Sequence, residues 1–269
     1  VNVQALLAGV ADPFGTVDAE PDPAFEEQVL LDRLGSDYYP KVLSWFFDLL
    51  LGTVRPASVL EVGCGTGHLL DGLAGRLGGP AQVRAAGVDR SEYLATRAAE
   101  RFAGYDIRAA DGAALPYPDG TFDLAYTATV LVHADDPAAV LREMHRVVRP
   151  GGYVAVLDQD FETAVLYPGE RELTREVLTA ATDFWADGWI GRRLPALLRR
   201  TGLDVVDVQA HVRVDRRYDR PFFARIRDWV VEGGFPVAAA DRWLAELDER
   251  STDDEFLFTR NFYAAVGRR

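Results

Sequence analysis

One carboxylate and three glycines alternate in Val59-Leu60-Glu61-Val62-Gly63-Cys64-Gly65-Thr66-Gly67. Residues without a Cβ allow backbone torsions and a close ligand approach that other residues block, so this stretch suits a turn that cradles a small polar ligand. Asp89 lies 22 residues beyond Gly67, at the predicted carboxyl end of a strand, where a carboxylate can accept both hydrogen bonds of a ribose diol. Asp111 follows a later strand end in the same way, with Gly112 after it. Dinucleotide sites use the spacing G-x-G-x-x-G, but its sixth position here is His68, and the spacing is Glu61-x-Gly63-x-Gly65-x-Gly67. His133 stands apart from His68, His145 and His211: it follows a predicted strand in Thr129-Val130-Leu131-Val132-His133, at the edge where open α/β sheets bind ligands. No two histidines share a helix face at metal-ligand spacing, and the lone Cys64 cannot build a thiolate site.

These residues need strands and helices in strict alternation. Ser58 to Val62 reads as a strand and Gly67 to Leu77 as a helix with Leu69, Leu70, Leu73 and Leu77 on one face. The unit repeats in Val83 to Val88 with a helix from Ser91 to Phe102, then a short strand at Ile107 to Ala110. Phe122 to Thr127, a helix from Ala138 to Val148 stopped by Pro150-Gly151-Gly152, and Tyr153 to Leu157 continue it. Beyond that the rhythm breaks. Glu162 to Arg200 reads as helical, Val206 to Val214 as an alternating half-exposed strand, Pro221 to Glu249 as a second helical insertion, and Phe256 to Val266 as a last strand. The fold predicted is α/β: a doubly wound, mostly parallel seven-stranded sheet with helical cap insertions. Four regions follow: a flexible lead-in over 1–22, helices covering the site over 23–56, a ligand-binding core over 57–160, and the remaining sheet with its caps over 161–269.

The 269 residues are 48% hydrophobic and 26% charged, ordinary globular usage that excludes wholesale disorder. Acidic residues outnumber basic ones by 42 to 29, a net charge of −13 that repels phosphate backbones and anionic lipid; neither nucleic acid nor membrane is expected as a partner. A single cysteine and no recognisable secretory signal favour the cytoplasm. No apolar run approaches the roughly 20 residues of a membrane span.

Four blocks in order, the glycine turn, Gly87-Val88-Asp89, Ala110-Asp111-Gly112-Ala113-Ala114-Leu115-Pro116-Tyr117 with Asp119 and Phe122-Asp123, and Arg146-Val147-Val148-Arg149-Pro150-Gly151-Gly152, resemble the class I S-adenosylmethionine-dependent methyltransferases. The likeness spans roughly 57–160 and is greatest to the ubiquinone and menaquinone biosynthesis branch. It implies a Rossmann-like methyltransferase fold and S-adenosyl-L-methionine as cofactor, held by Glu61, Gly63, Gly65, Gly67, Asp89, Arg90, Asp111, Gly112 and Thr127. By that resemblance Asp111 accepts from the adenine amino group, the Thr127 backbone faces the methionyl part, and Glu61 orients the ammonium.

A sulfonium is already a good leaving group, so positioning and exclusion of water dominate, and a base matters only where the nucleophile loses a proton. His133 is placed to take that proton; Tyr38, Tyr39, Asp158 and Asp160 are further acceptor-side groups. Aromatic residues Phe161, Tyr167, Phe184, Trp185, Trp189, Phe222, Phe223, Trp229 and Phe235 supply an apolar acceptor wall or a cap core. The expected reaction is methyl transfer to an O, N or C atom of a small, hydrophobic acceptor. Two other readings stand beside it: a methyltransferase-like protein promoting a reaction such as a cyclisation, and an NAD-dependent oxidoreductase.

Overall fold

The computed structural model describes residues 17–19, 22–251 and 255–269, so most of the lead-in over 1–22 lies outside it. Nine helices and seven strands organise the described residues: α1 (Pro23–Leu34), α2 (Tyr39–Thr53), β1 (Ser58–Val62), α3 (His68–Arg76), β2 (Arg84–Asp89), α4 (Glu92–Arg101), β3 (Asp106–Ala109), β4 (Phe122–Ala128), α5 (Pro137–Val147), β5 (Val148–Tyr167), α6 (Arg171–Asp183), α7 (Ile190–Arg200), β6 (Asp204–Asp215), α8 (Arg220–Glu232), α9 (Val237–Arg250) and β7 (Leu257–Arg268). They form one sheet in the order β3-β2-β1-β4-β5-β7-β6. Strands β1 to β5 pair in parallel, and β7 runs antiparallel to both β5 and β6.

The order reverses between β1 and β4, which opens a crevice at their carboxyl ends. Val59, Leu60 and Val62 are buried on both faces of the sheet, as a central parallel strand requires. One core packs α5 and α7 on one face around Leu60, Val62, Leu141 and Val156; the other packs α2 and α3 around Val59, Phe46, Leu70 and Tyr126. A third core, centred on Trp243, Phe223 and Phe258, joins α6, α8 and α9 to the far ends of β5 and β7. Asp18 ties the chain ahead of α1 to this frame, accepting from the Ser91 hydroxyl at 2.6 Å and the Glu92 N–H at 2.8 Å at the start of α4.

Two local expectations fail. The stretch from Glu162 is not helical at first: β5 continues to Tyr167 because its end pairs with Leu257 to Thr259 of β7 beyond a bulge, and long-range pairing overrides local propensity. The helical pattern then splits into α6 and α7. In β6 the alternation is real but its faces are reversed: Val206, Val208, Val212 and Val214 are each 45–51% exposed, whereas Arg213 is buried. The inner face meets α2 through polar groups instead. Trp45 Nε1 donates to Gln209 Oε1 at 3.2 Å, and the Trp45 and His211 rings lie 5.3 Å apart.

Candidate active site

The crevice holds a cavity of about 320 Å³. Its floor is the glycine turn. Gly63 has φ +75°, and a Cβ there would stand 2.3 Å from Val130 Cγ2. The N–H groups of Gly63 and Cys64 both donate to the Val88 carbonyl, at 2.8 and 2.9 Å, so the turn is clamped onto β2. Gly63→Ala combines a positive-φ penalty with a steric clash and is expected to lower stability by about 2–3 kcal/mol, read as a shift in the denaturant midpoint.

That clamp brings Asp89 to Gly65. The Gly65 N–H donates to Asp89 Oδ2 at 2.7 Å and the Ser91 N–H to Oδ1 at 3.0 Å. Each oxygen is fixed by one backbone donor and keeps another lone pair for a ligand. Burial raises the Asp89 pKa, against the two backbone bonds that lower it. Glu61, on β1, is 1% exposed. Burial pushes its pKa well up; the Tyr126 hydroxyl, donating at 3.3 Å, opposes this and the nearby Asp89 charge adds to it. Two buried carboxylates therefore flank the turn, and a ligand bringing positive charge would stabilise their ionised forms. Cys64 lies between them with its thiol pKa driven well up by burial, then by Asp89 and Glu61, which makes it an inert small residue of the turn.

Of the residues singled out in the sequence, Glu61, Gly63, Gly65, Asp89, Arg90, Asp111, Gly112 and His133 line this cavity. Asp111 Oδ1 accepts from the Ala113 N–H at 2.8 Å and so shapes its own loop. Gly112 packs on β1: a Cβ would meet Val62 Cγ1 at 2.9 Å. Gly67 and Thr127 stand behind the wall. Gly67, with φ +79°, is the N-cap of α3, and a Cβ would reach Phe102 Cδ2 at 2.9 Å. Thr127 lies inside β4, fully buried, and its hydroxyl donates to the Val62 carbonyl at 2.8 Å. The two residues after it, Ala128 and Thr129, are the ones that reach the cavity.

Thr129 has φ +58°, a left-handed conformation that a β-branched residue rarely adopts. It is held there by three groups. Its hydroxyl donates to the Ala128 carbonyl at 2.7 Å, Arg33 Nη1 donates to it at 3.1 Å, and the Tyr39 hydroxyl lies 3.5 Å away. Arg33 and Leu30 come from α1 and Tyr39 from α2, so these helices close the cavity over the turn. Glu27 fastens α1 by pairing with Arg101, at 2.5 Å, and accepting from the Tyr93 hydroxyl at 3.0 Å.

His133 ends a 3₁₀ turn, Leu131–His133, on the rim. Its ring stands edge-on to Trp185, 5.3 Å between centroids, and lies within electrostatic reach of Asp158. Asp158 is fully buried, accepting from the N–H groups of Gln159 at 2.8 Å and Val132 at 3.2 Å. Burial raises its pKa to about 6, although those bonds and His133 pull it down. Because the folded value exceeds the unfolded one, the native state binds the extra proton between about pH 4 and 6, and stability falls as pH rises through that window. In Asp158→Asn that loss is absent, so the melting temperature of the variant relative to the wild type should climb from pH 4 to pH 7 in calorimetry.

The other histidines belong to the framework. His68 Nδ1 lies 2.9 Å from Thr66 Oγ1 with its ring edge-on to Phe102, away from the cavity. Asp160 is paired with Arg192. Phe161, Trp185 and Trp229 line a smaller cavity next to His133's aromatic neighbour, whereas Phe223 belongs to the cap core and Tyr167 and Trp189 are half exposed. Among the described residues, no group of three or more His, Cys, Asp or Glu side chains could hold a metal, and no helix is long and apolar enough to cross a membrane.

A family model described as a methyltransferase domain matches residues 60–156, from β1 through the first part of β5. An O-methyltransferase of Aspergillus sclerotiorum, resE, is 30% identical over 218 residues, covering 78% of this chain and 76% of the relative. The chain belongs to the class I S-adenosylmethionine-dependent methyltransferases. An uncharacterized 37.1 kDa protein of a Streptomyces fradiae transposon is 32% identical over 203 residues, 72% of this chain and 58% of that protein. The chain spans about half the length of several such relatives. The YcgJ protein of Bacillus subtilis superposes with a TM-score of 0.57 over 84% of this chain and 98% of its own, at 17% identity, and shares the fold. The cavity fits the family's cofactor: an ammonium and a sulfonium would offset the buried Glu61 and Asp89, and a diol could use the lone pairs that Asp89 keeps beside its two backbone bonds. A pyrophosphate on the same turn would face both carboxylates.

Proposed function

We propose that the chain transfers the methyl group of S-adenosylmethionine to an oxygen, nitrogen or carbon atom of a small, apolar acceptor. The observation that carries this reading is the pair of buried carboxylates, Glu61 and Asp89, on either side of a glycine turn in a cavity that His133 also lines. When bound, the cofactor supplies a methyl group on a sulfonium. Asp89 holds the ribose diol, Asp111 the adenine amino group, Glu61 the ammonium, while the backbone at Gly63 and Gly65 and the Arg90 side chain complete the cradle. Gly112 lets the backbone approach the adenine, and Gly67 and Thr127 set the shape of the cradle from behind.

We assign the acceptor side to α1 and α2, which line the cavity, backed beyond His133 by the aromatic layer of Trp185 and Phe161. Those groups exclude water and hold the nucleophile in line behind the methyl carbon. Where the nucleophile is a hydroxyl or an amine, His133 accepts its proton as the methyl group arrives, and the buried Asp158 carboxylate stabilises the imidazolium so formed. We also infer a place in small-molecule biosynthesis in the cytoplasm, where the free Cys64 thiol stays reduced. Calorimetric titration with S-adenosylmethionine and S-adenosylhomocysteine tests the reading at its base: saturable heat with both is expected, and no heat with no thermal shift would overturn it.

A further inference from the structure

Three guanidinium groups, Arg33, which lines the cavity, and Arg213 and Arg260, which lie behind it, converge on Tyr38. Arg213 of β6 and Arg260 of β7 are directly opposed in the antiparallel register and are 4% and 6% exposed. Like charges facing one another across a strand pair are destabilising, and buried ones more so. Arg213 has a partial remedy: its Nε donates to Asp215 Oδ2 at 2.7 Å and its plane lies 3.6 Å from the Tyr38 ring centroid, but Nη1 is buried without a partner. Arg260 lies on the aromatic faces of Phe161 at 4.4 Å and Phe262 at 5.8 Å, is reached by Tyr38 and Asp215 through electrostatics alone, and its Nε is likewise unpartnered. Arg33, 3.9 Å from the Tyr39 ring centroid, faces the Tyr38 hydroxyl and the Asp158 charge, yet its Nε and Nη2 have no acceptor in good hydrogen-bond geometry.

Tyr38 is the common neighbour. Burial would raise its phenol pKa, yet Arg33, Arg213 and Arg260 together bring it below the ordinary value. Burial, then the charge of Arg213, pushes Arg260 itself down to about 9. The cluster is joined to the cavity at two places: Arg33 lines the cavity beside Thr129, and Phe161 carries Arg260 on one side and stacks on Trp185, the ring neighbour of His133, 4.9 Å between centroids. Three cations around one phenol thus have as carboxylate neighbours Asp215, paired with Arg213, and Asp158, which faces Arg33, and four of their buried donor atoms remain without a hydrogen-bond acceptor.

We propose that Arg33, Arg213 and Arg260, grouped around Tyr38, bind an anionic head group of the acceptor, a carboxylate or a phosphate. Assigning that anion to the methyl acceptor rests on the methyl-transfer reading; the anion site itself does not. The acceptor then spans the site with its charged end at the arginines, its apolar body against Phe161 and Trp185, and its nucleophile towards His133.

Decanoate, decyl phosphate and decanol are titrated into the protein, with and without S-adenosylhomocysteine, with fluorescence of Trp185 and Trp229, which border Arg260, as the readout. At least one acid should bind about tenfold or more tightly than decanol, since charge-assisted bonds to guanidinium are the strong class, and the tighter of the two identifies the head group. In Arg260→Met the preference should shrink to about twofold while the melting temperature holds or rises, because an uncompensated buried charge has been replaced by an apolar chain. Arg33→Met should lose the same preference. Equal affinities for the three probes, no binding of any, an unchanged preference in both variants, or a lower melting temperature for Arg260→Met would overturn the proposal. Calorimetry with S-adenosylhomocysteine runs alongside; its failure removes the methyl-transfer reading without touching the acid-to-alcohol ratio.

Discussion

Asp89→Ala should bind S-adenosylmethionine about 100-fold more weakly than the wild type, measured by isothermal titration. Two charge-assisted hydrogen bonds to a ribose diol, each about 1.5–3 kcal/mol, are lost together, and about 2.8 kcal/mol already gives this factor. A second contribution acts through the protein. Asp89 holds the Gly65 and Ser91 N–H groups, so its removal frees the turn and leaves two backbone donors to find water. Stability should therefore fall by about 1–2 kcal/mol, and affinity is to be measured well below the melting temperature of the variant. An affinity within tenfold of the wild type would place the diol elsewhere.

His133→Ala should lower turnover of an O–H or N–H acceptor by a factor of about 10² to 10⁴, the usual range for a positioned general base, with cofactor affinity changed by less than about twofold. That split is what distinguishes a base from a packing residue. His133 is edge-on to Trp185, so a purely structural role would disturb the aromatic wall and weaken acceptor binding before it slowed chemistry. Unaltered turnover would remove His133 as the base. Methylation of a carbanion-like carbon would be less sensitive to the variant, and the size of the effect thus also reports the kind of atom methylated.

The glycine-turn side of the cavity was legible because its signals are local. A strand, a turn and a helix that must meet within nine residues leave their torsional needs in the sequence as Gly63, Gly65 and Gly67, and Asp89 sits where the next strand has to end. Even there the roles of single residues divided: Gly67 and Gly112 answer to packing against Phe102 and Val62, a distinction that spacing cannot make. The acceptor half depends on partners far apart in the chain. Arg33 enters from α1, Arg213 from β6 and Arg260 from β7, and nothing near each one announces the others. One clue was present. Arg260 falls in phase with Phe256, Phe258, Phe262, Ala264 and Val266, a charge on the buried side of an alternating strand, which a functional role explains better than stability does. In β6 the valines misled, because α2 covers the strand's polar side and the opposite side faces water.

If the opposed arginines on β6 and β7 receive the acceptor's head group, they would also act as a filter. A substrate protonated at nitrogen would approach three fixed positive centres in a region of low dielectric, where repulsion is scarcely screened by salt. On that reading an acceptor carrying a cationic group at its far end would be disfavoured relative to one carrying an anion, whatever the atom presented to His133.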